Sequence, residues 1–314
     1  MQNKILIFLT LFCFLHLRAS SQETESIMQY YQKINEAEYE FTQNNVNEAL
    51  RNYEEAFQLY PTAFTKDYIN GAIMSVTVKN NDLAKKWISE AIRRGMDQKQ
   101  LLNHKFLIKK LGRNYLTELY NKVINSQKLL YNPTVHKTID SLFMIDQDVR
   151  NNFDKGTISK NDWRSTDSLI SVKLIEIIKE YGHLGESIIG YPGAINKVGL
   201  MIAHNSGKFN MNSLKNFVFS GTMLPGAYAR VKDLDVLEKN NERYYYYVIY
   251  DAASPTNKSH VQYSSMVKAD AYFSSKLPII NERRVKIGLQ TVEKMQLFLQ
   301  KKYRKYRFLI QLFA

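Results

Sequence analysis

The chain has 314 residues, a length that allows two ordinary domains. Of these residues 45% are hydrophobic and 12% aromatic, so the chain can bury real cores, which excludes a disordered or low-complexity protein. Its formal charge is +13, but twelve Lys or Arg against three acids fall from Thr256 onward, so the positive charge belongs mainly to the C-terminal part. The single cysteine is Cys13, so the rest of the chain has no disulfide, no thiol nucleophile and no cysteine-based metal site.

The first 21 residues have the pattern of a secretory signal peptide. Lys4 precedes an apolar run over residues 5–17, and the small residues Ala19 and Ser21 stand before Gln22. The run is too short to span a bilayer comfortably, and the small residues predict cleavage before Gln22. The alternative is a membrane anchor or a buried N-terminal helix. From this pattern we expect an exported protein, periplasmic or extracellular. No later run approaches about 18 apolar residues, so we expect no transmembrane segment after removal of the leader.

Residues 22–131 contain a repeated spacing of small and large apolar residues. Offsets 0, 4 and 7 are Ala, Tyr and Ala in "ALRNYEEA" (49–56), and 35 residues later they are Ala, Ile and Ala in "AKKWISEA" (84–91). Small residues at the outer two places let two antiparallel helices approach closely, while the larger residue fills the space between them. The pattern therefore predicts antiparallel helical hairpins with Ala49, Ala56, Ala84 and Ala91 at their contacts.

This spacing resembles the tetratricopeptide repeat, with Ala37 and Gly71 near the other small position of each unit and Pro61 closing the first unit. The second unit lacks the closing proline, and a third segment, residues 101–124, is only generically helical. A plain bundle of helical hairpins is therefore the alternative. The resemblance implies a repeat surface that binds another protein or a peptide.

A second domain is predicted over residues 132–300, after the break at Asn132-Pro133. Periodic apolar residues predict helices over residues 134–152, 165–181, 194–204, 212–220 and about 281–303. The runs "YARVKDLDVL" (228–237) and "RYYYYVIY" (243–250) favour strands on either side of the polar "EKNNE", which predicts a β-hairpin. The expected fold is mainly α, with N-terminal helical-hairpin repeats followed by an α+β domain of several helices and one β-hairpin.

The motifs of this second region resemble, in their order, an uncharacterised family of bacterial exported domains. They include "DQDVR" (146–150), "LMIAHNSG" (200–207) and "NERRVKIGL" (281–289), and the resemblance covers about residues 140–297. The chain has Gly182-His183-Leu184 where the family tends to have Gly-Trp-Pro, and "YYYYVIYD" replaces a polar segment. The resemblance implies a domain boundary and candidate positions, and it implies no chemistry.

Four residues at family-matching positions form the candidate site: Asp146, Arg150, His204 and Arg283. Asp146 and Arg150 are four residues apart, so they share one helix face, and Ile145 and Val149 are expected to anchor that helix inward. We hypothesise that the four polar side chains line one cleft, where positive charge keeps Asp146 ionised. The alternative is a solvated ion pair, with His204 as the polar end of a buried helix.

Other signatures of catalysis or ligand binding are missing. The chain has no HExxH motif, no Walker loop and no dinucleotide-type glycine pattern, and its histidines are scattered, so we expect no metal and no cofactor. The basic aromatic end, residues 301–314, predicts a weak contact with an anionic surface rather than with nucleic acid. Its cations are Lys301, Lys302, Arg304, Lys305 and Arg307. A solvated helix end is the alternative.

Two functions fit these features. The favoured one is a protein-interaction module of the cell envelope that binds a protein or peptide through its helical repeats. The alternative is an envelope hydrolase, with Asp146 and His204 in acid or base roles and an arginine that binds an anion. Whether the protein is an enzyme stays open at this point. A concave pocket that brings the four candidate residues together would favour the hydrolase.

Overall fold

The computed structural model describes residues 24–240 and 271–298, and this part of the chain is helical and contains no strand. Seven helices make up its first half: α1 (24–42), α2 (Val46–Leu59), α3 (Thr65–Thr77), α4 (Asn81–Arg93), α5 (Gln98–Asn103), α6 (Lys105–Leu111) and α7 (Arg113–Ser126). Short loops connect them, and α3 packs against both α2 and α4, while α7 packs against α4, α5 and α6. The prediction of a mainly helical fold is confirmed.

The second half continues with helices of very different lengths. They are α8 (Pro133–Asp154), α9 (Lys160–Tyr181), α10 (Glu186–Ile189), α11 (Gly199–His204), α12 (Met211–Phe219), α13 (Pro225–Asn240), α14 (Ala271–Val285) and α15 (Val292–Phe298), with a π-helical turn at Gly193–Val198 before α11. Helix α9 begins earlier than residue 165, because Ser159 and Asp162 form a capping box. It ends, as predicted, at Gly182, which has a left-handed conformation with φ of 82°.

The small residues of the repeated spacing lie inside the helical hairpins. Ala49, Ala56, Ala84 and Ala91 are each completely buried in the core. Gly71 on α3 shows how close the helices come, because a Cβ atom at this position would lie 2.7 Å from the ring of Trp87 on α4. The predicted contact positions are therefore confirmed, and the close approach of the helices explains the need for small side chains.

The predicted β-hairpin is wrong in its first half. Residues 228–237 belong to α13, where Ala227, Tyr228 and Val231 are buried and pack against the hydrophobic core. The positions 227, 228 and 231 follow helical spacing, and helical burial outweighs the β-favouring composition of the segment. The second predicted strand, residues 243–250, lies outside the described residues.

The predicted closing helix over residues 281–303 is also wrong. Helix α14 ends at Val285, and the chain turns through Gly288 before α15 begins at Val292. Gly288 has a φ of 86°, and a Cβ atom at this position would lie 2.4 Å from the ring of Tyr31. Both the left-handed backbone and the close contact require glycine, so the helical pattern is interrupted there.

The two regions on either side of residue 132 share one hydrophobic cluster. Tyr31 on α1 donates a hydrogen bond from its hydroxyl to the Val218 carbonyl oxygen at 3.0 Å. The amide of Asn35, also on α1, donates to the Gly288 carbonyl oxygen at 3.0 Å. Helix α1 is thus packed against both α12 and the turn after α14, which makes the helical hairpins and the second region one continuous scaffold.

Among the helices of the described ranges, none combines the length and the apolar character that a membrane crossing requires. The predicted signal peptide, residues 1–21, and the basic aromatic end, residues 301–314, lie outside those ranges. Both therefore stay predictions from sequence.

Candidate functional site

Asp146 is placed by the buried stripe of α8. Val135, Ile139, Asp146 and Val149 are the buried residues of this helix, and they recur at helical spacing along one face. Val149 anchors the helix inward as predicted. The expectation for Ile145 is wrong, because its side chain is 48% exposed; it lies one position before Asp146, beside the buried stripe rather than on it.

Asp146, Arg150 and His204 form one hydrogen-bonded cluster. Nη2 of Arg150 lies 3.1 Å from Oδ1 of Asp146, and Nε of Arg150 lies 2.9 Å from Nδ1 of His204. The same Nδ1 of His204 is 3.0 Å from Oδ1 of Asp146. Helix α8 and the C-terminal end of α11 therefore meet through three of the four residues that the sequence singles out.

The imidazole of His204 can satisfy only one of its two neighbours at Nδ1. With a proton on Nδ1 it donates to the Asp146 carboxylate, and without that proton it accepts from the guanidinium of Arg150. Burial opposes ionisation of Asp146, but the hydrogen bond with His204 and the positive charge around it outweigh burial, so the pKa of Asp146 is lowered. An ionised Asp146 favours the form of His204 that donates from Nδ1.

Asp167 on α9 is a further member of this cluster that the sequence reasoning missed. Its Oδ1 lies 2.9 Å from Nη2 of Arg150, so one guanidinium joins two carboxylates. Burial raises the pKa of Asp167, and this effect exceeds the opposing charge of Arg150. The signal was present in the sequence, because Asp167 precedes Ile170 and Leu174 on the buried stripe of α9, where a charged residue requires a partner.

The indole of Trp163 completes the surroundings of Arg150. The guanidinium carbon lies 5.2 Å from the centre of the Trp163 ring, within the range of a cation–π contact. Arg150 is therefore engaged by two carboxylates and an aromatic ring, with the imidazole of His204 beside it. This set of contacts fastens α8, α9 and α11 together and leaves Arg150 with its charge compensated.

Arg283 is the fourth predicted site residue, and it stands apart from the hydrogen bonds that join the other three. It is half-buried in the last turn of α14. The adjacent Arg284 is completely buried and donates from Nε to the Gln290 carbonyl oxygen at 2.8 Å. The chain that follows contacts α1, since Gln290 donates to Glu38 at 2.9 Å.

A separate open pocket of about 420 Å3 lies on the helical hairpins. Its apolar lining residues are Ile69, Met96, Leu101, Leu107 and Tyr191, and of these Met96 and Tyr191 keep a little exposed surface. Ligand pockets in proteins commonly have volumes of about 300 to 1,000 Å3 and a mainly apolar lining. This cavity fits that description in both size and chemistry.

Polar groups stand at the rim and one side of the same pocket. They are Gln100, Asn103, His104 and Lys105, of which Asn103 and Lys105 are exposed. Nδ1 of His104 accepts a hydrogen bond from the Leu107 N–H at 3.3 Å, so in the neutral ring the proton is on Nε2. An apolar interior with a few polar groups at its edge is able to orient a bound group as well as bury it.

The walls of this pocket are held by local backbone contacts. Asp97 and Gln100 form a capping box that begins α5, with 2.7 Å between the Gln100 nitrogen and Oδ1 of Asp97. The N–H of Tyr191 donates to the Arg94 carbonyl oxygen at 2.8 Å. Gly95 has a φ of 103°, and a Cβ atom there would lie 2.9 Å from the Tyr191 nitrogen. The pocket is therefore built from both regions of the chain.

A buried carboxyl group also joins the two regions. Oε2 of Glu186 accepts hydrogen bonds from the N–H and the hydroxyl of Thr65, both at 2.8 Å, while Oε1 has no hydrogen-bond partner in the described part of the chain. Burial raises the pKa of Glu186 to about 7, although the hydrogen bonds from Thr65 oppose this shift. Glu186 therefore changes its charge near neutral pH.

A polar network in the core of the hairpins is built from residues of α1 and α3. The hydroxyl of Tyr30 donates to Oδ2 of Asp67 at 2.5 Å, and Lys66 pairs with Asp67 and, at 3.7 Å, with Glu38. Burial raises the pKa of Glu38. Because Glu38 also accepts from Gln290, this network ties α1 to α3 and to the turn before α15.

Within the described residues, no group of three or more His, Cys, Asp or Glu side chains is arranged to hold a metal ion. Comparisons of the chain with models of protein families, with curated proteins and with solved structures find no match. The function of the chain is therefore inferred from its own geometry.

Proposed function

We propose that this protein is an exported protein-interaction module of the cell envelope, and that its helical hairpins bind a protein or peptide partner. The observation that carries the proposal is the open pocket of about 420 Å3 between α3, α5 and α6. Export is supported by the leader pattern of residues 1–21, which carries Lys4, an apolar run and small residues before Gln22.

The pocket suits a side chain of a partner better than it suits a reaction. Its accessible surface is mainly apolar, and the candidate residues Asp146 and His204 are not among its lining residues. The capping box at Asp97 and the hydrogen bond between Tyr191 and Arg94 hold the wall of the pocket. A wall held in this way loses little conformational entropy on binding.

Site-specific photo-crosslinking in living cells tests the proposal. A photoreactive amino acid at Asn103, on the exposed rim of the pocket, is expected to capture a discrete partner protein. The matched control carries the same group at Ser141, an exposed position of α8. Adding Lys105→Glu should reduce the product from position 103. Equal products from both positions, or none from either, would contradict a specific interaction surface.

A hydrolase is the second candidate, and the hydrogen bond between Asp146 and His204 favours it. A buried carboxylate that accepts from Nδ1 holds a histidine in the tautomer whose Nε2 is free of a proton, as a general base for water requires. The side chain of His204 is 23% exposed, so solvent reaches it. Release of nitrophenol from p-nitrophenyl acetate or phosphate, lost in His204→Gln and kept in the exposed control Lys137→Gln, would support this function. Equal rates in both variants would oppose it.

A further inference from the structure

The pocket of the helical hairpins lies in a segment with an excess of positive charge. Residues 97–128 carry seven basic residues against two acidic residues, Asp97 and Glu118, a net charge of +5. All seven cations are exposed: Lys99, Lys105, Lys109, Lys110, Arg113, Lys122 and Lys128. Within the described residues, the ion pairs of the protein involve none of them. A surface of this kind attracts a partner of negative charge.

Lys105 belongs both to the lining of the pocket and to the exposed cations. Its side chain lines the pocket together with the buried Leu101 and Leu107, and it is also one of the seven exposed cations. A group that fills the apolar interior is therefore placed directly beside a positive charge. Recognition at this point requires an apolar side chain next to an acidic group.

We infer that the partner is an acidic peptide segment that inserts one apolar side chain between α3, α5 and α6 while its carboxylates contact the cations of α5, α6 and α7. This inference rests on the proposed function and names the chemistry of its partner. The apolar side chain lies against Met96 and Tyr191, the apolar lining residues that keep exposed surface. The rim groups Gln100 and Asn103 lie where they can bond the peptide backbone.

The extent of the charge distinguishes a peptide from a fatty acid. A fatty acid shares the combination of an apolar group and a carboxylate, but it carries a single negative charge. Exposed cations stand on all three helices, from Lys99 on α5 to Lys122 on α7, so the charge is not confined to the one cation at the pocket. Several carboxylates along a peptide match this distribution, and a single headgroup does not.

Fluorescence anisotropy with the full mature chain and defined peptides tests the inference. The probe is a labelled peptide of Asp, Glu and Ser residues with one central Phe, and its matched controls replace Phe by Ser or replace every acid by Lys. We expect the acidic Phe peptide to bind best, and its affinity to fall steeply with salt because the cations are exposed. Equal binding of the Ser peptide, or tighter binding of the Lys peptide, would overturn the inference.

Variants of the protein locate the binding site. Lys105→Glu should weaken binding of the acidic Phe peptide about tenfold, since it places a like charge beside the carboxylates. Lys137→Glu, an exposed position of α8, is the matched control and should leave affinity unchanged. Equal effects of the two substitutions, or displacement of the peptide by laurate at equal concentration, would contradict a peptide at this pocket.

The inference and the proposed function fail in different ways. If crosslinking from Asn103 captures a partner in cells but no acidic peptide binds, the inferred chemistry is wrong and the interaction module stands. If neither experiment gives a specific product, both are wrong.

Discussion

Asp146 and His204 are 58 residues apart in the chain, yet Nδ1 of His204 lies 3.0 Å from a carboxylate oxygen that is completely buried. Arg150 lies against both groups and extends the contact to Asp167. Helices α8, α9 and α11 therefore meet at a charged cluster rather than at an apolar seam. Buried charges are stabilised by their partners, so removing one of them leaves the others buried without compensation, which destabilises the folded protein.

Replacing Asp146 with Asn should lower the free energy of unfolding by about 2 to 3 kcal/mol, because Arg150 and His204 lose a buried carboxylate while Asp167 remains. The matched control is Asp148→Asn, at an exposed position of the same helix, with an expected change below about 0.5 kcal/mol. Urea unfolding measures both values. Equal losses in the two variants would mean that Asp146 is an ordinary surface residue.

The carboxylate of Asp146 also makes the stability of the protein depend on pH in the acidic range. Its pKa in the folded protein is lowered below the ordinary value of 3.8, so the unfolded chain binds more protons at low pH. Its contribution to stability is present above pH 3.8 and is lost as the pH falls through the folded pKa. The difference in stability between the wild type and Asp146→Asn should therefore shrink on acidification below about pH 4.

Glu186 changes the stability with pH in the opposite direction to Asp146. Burial raises its pKa from 4.5 to about 7 in the folded protein, so the folded state binds more protons than the unfolded state between these values. Stability should therefore fall as the pH rises from 4.5 to above 7, by at most about 3 kcal/mol for this group.

Replacing Glu186 with Gln should remove this part of the pH dependence, because the amide oxygen still accepts from Thr65 and no charge is buried. Urea unfolding at pH 5 and pH 8 compares the variant with the wild type. Glu118→Gln, at an exposed position of α7, is the control and should follow the wild type. The explanation by burial is wrong if Glu186→Gln loses as much stability between the two pH values as the wild type does.

Overpacking of the helical hairpins gives the next prediction. Ala56 is completely buried, so Ala56→Leu should lower the free energy of unfolding by about 1 to 3 kcal/mol. Lys85→Leu, which adds a leucine at an exposed position of α4, should have little effect. Thermal unfolding of both variants measures the difference. An unchanged melting temperature for Ala56→Leu would show that the contact tolerates a larger side chain.

The leader pattern predicts a cleaved N-terminus. Ala19 and Ser21 stand at the positions that signal peptidase reads, so protein recovered from the envelope or the medium should begin at Gln22. N-terminal sequencing measures this directly. Ser21→Leu should block processing, and a wild-type protein that still begins at Met1 would contradict export through this leader.

The sequence alone predicted what depends on local spacing. The helical hairpins, the burial of Ala49 and Ala56 and the end of α9 at Gly182 follow from short patterns, because helix periodicity and a left-handed cap are written in neighbouring residues. The meeting of Asp146 and His204 was proposed from a resemblance rather than from spacing. The first strand of the predicted β-hairpin is wrong. Its composition favours a strand, but burial of one face against the core stabilises the helix α13 instead.

Only the tertiary structure decided which distant residues share a site. Asp167 joins Arg150 from another helix, Glu186 meets Thr65 across 121 residues of chain, and Tyr191 closes a pocket formed by α3, α5 and α6. Each of these contacts depends on how whole helices pack. The periodicity of the sequence does not show which distant residues come together. Packing of side chains in three dimensions is a property of the complete core, so these relationships become visible only when the chain is folded.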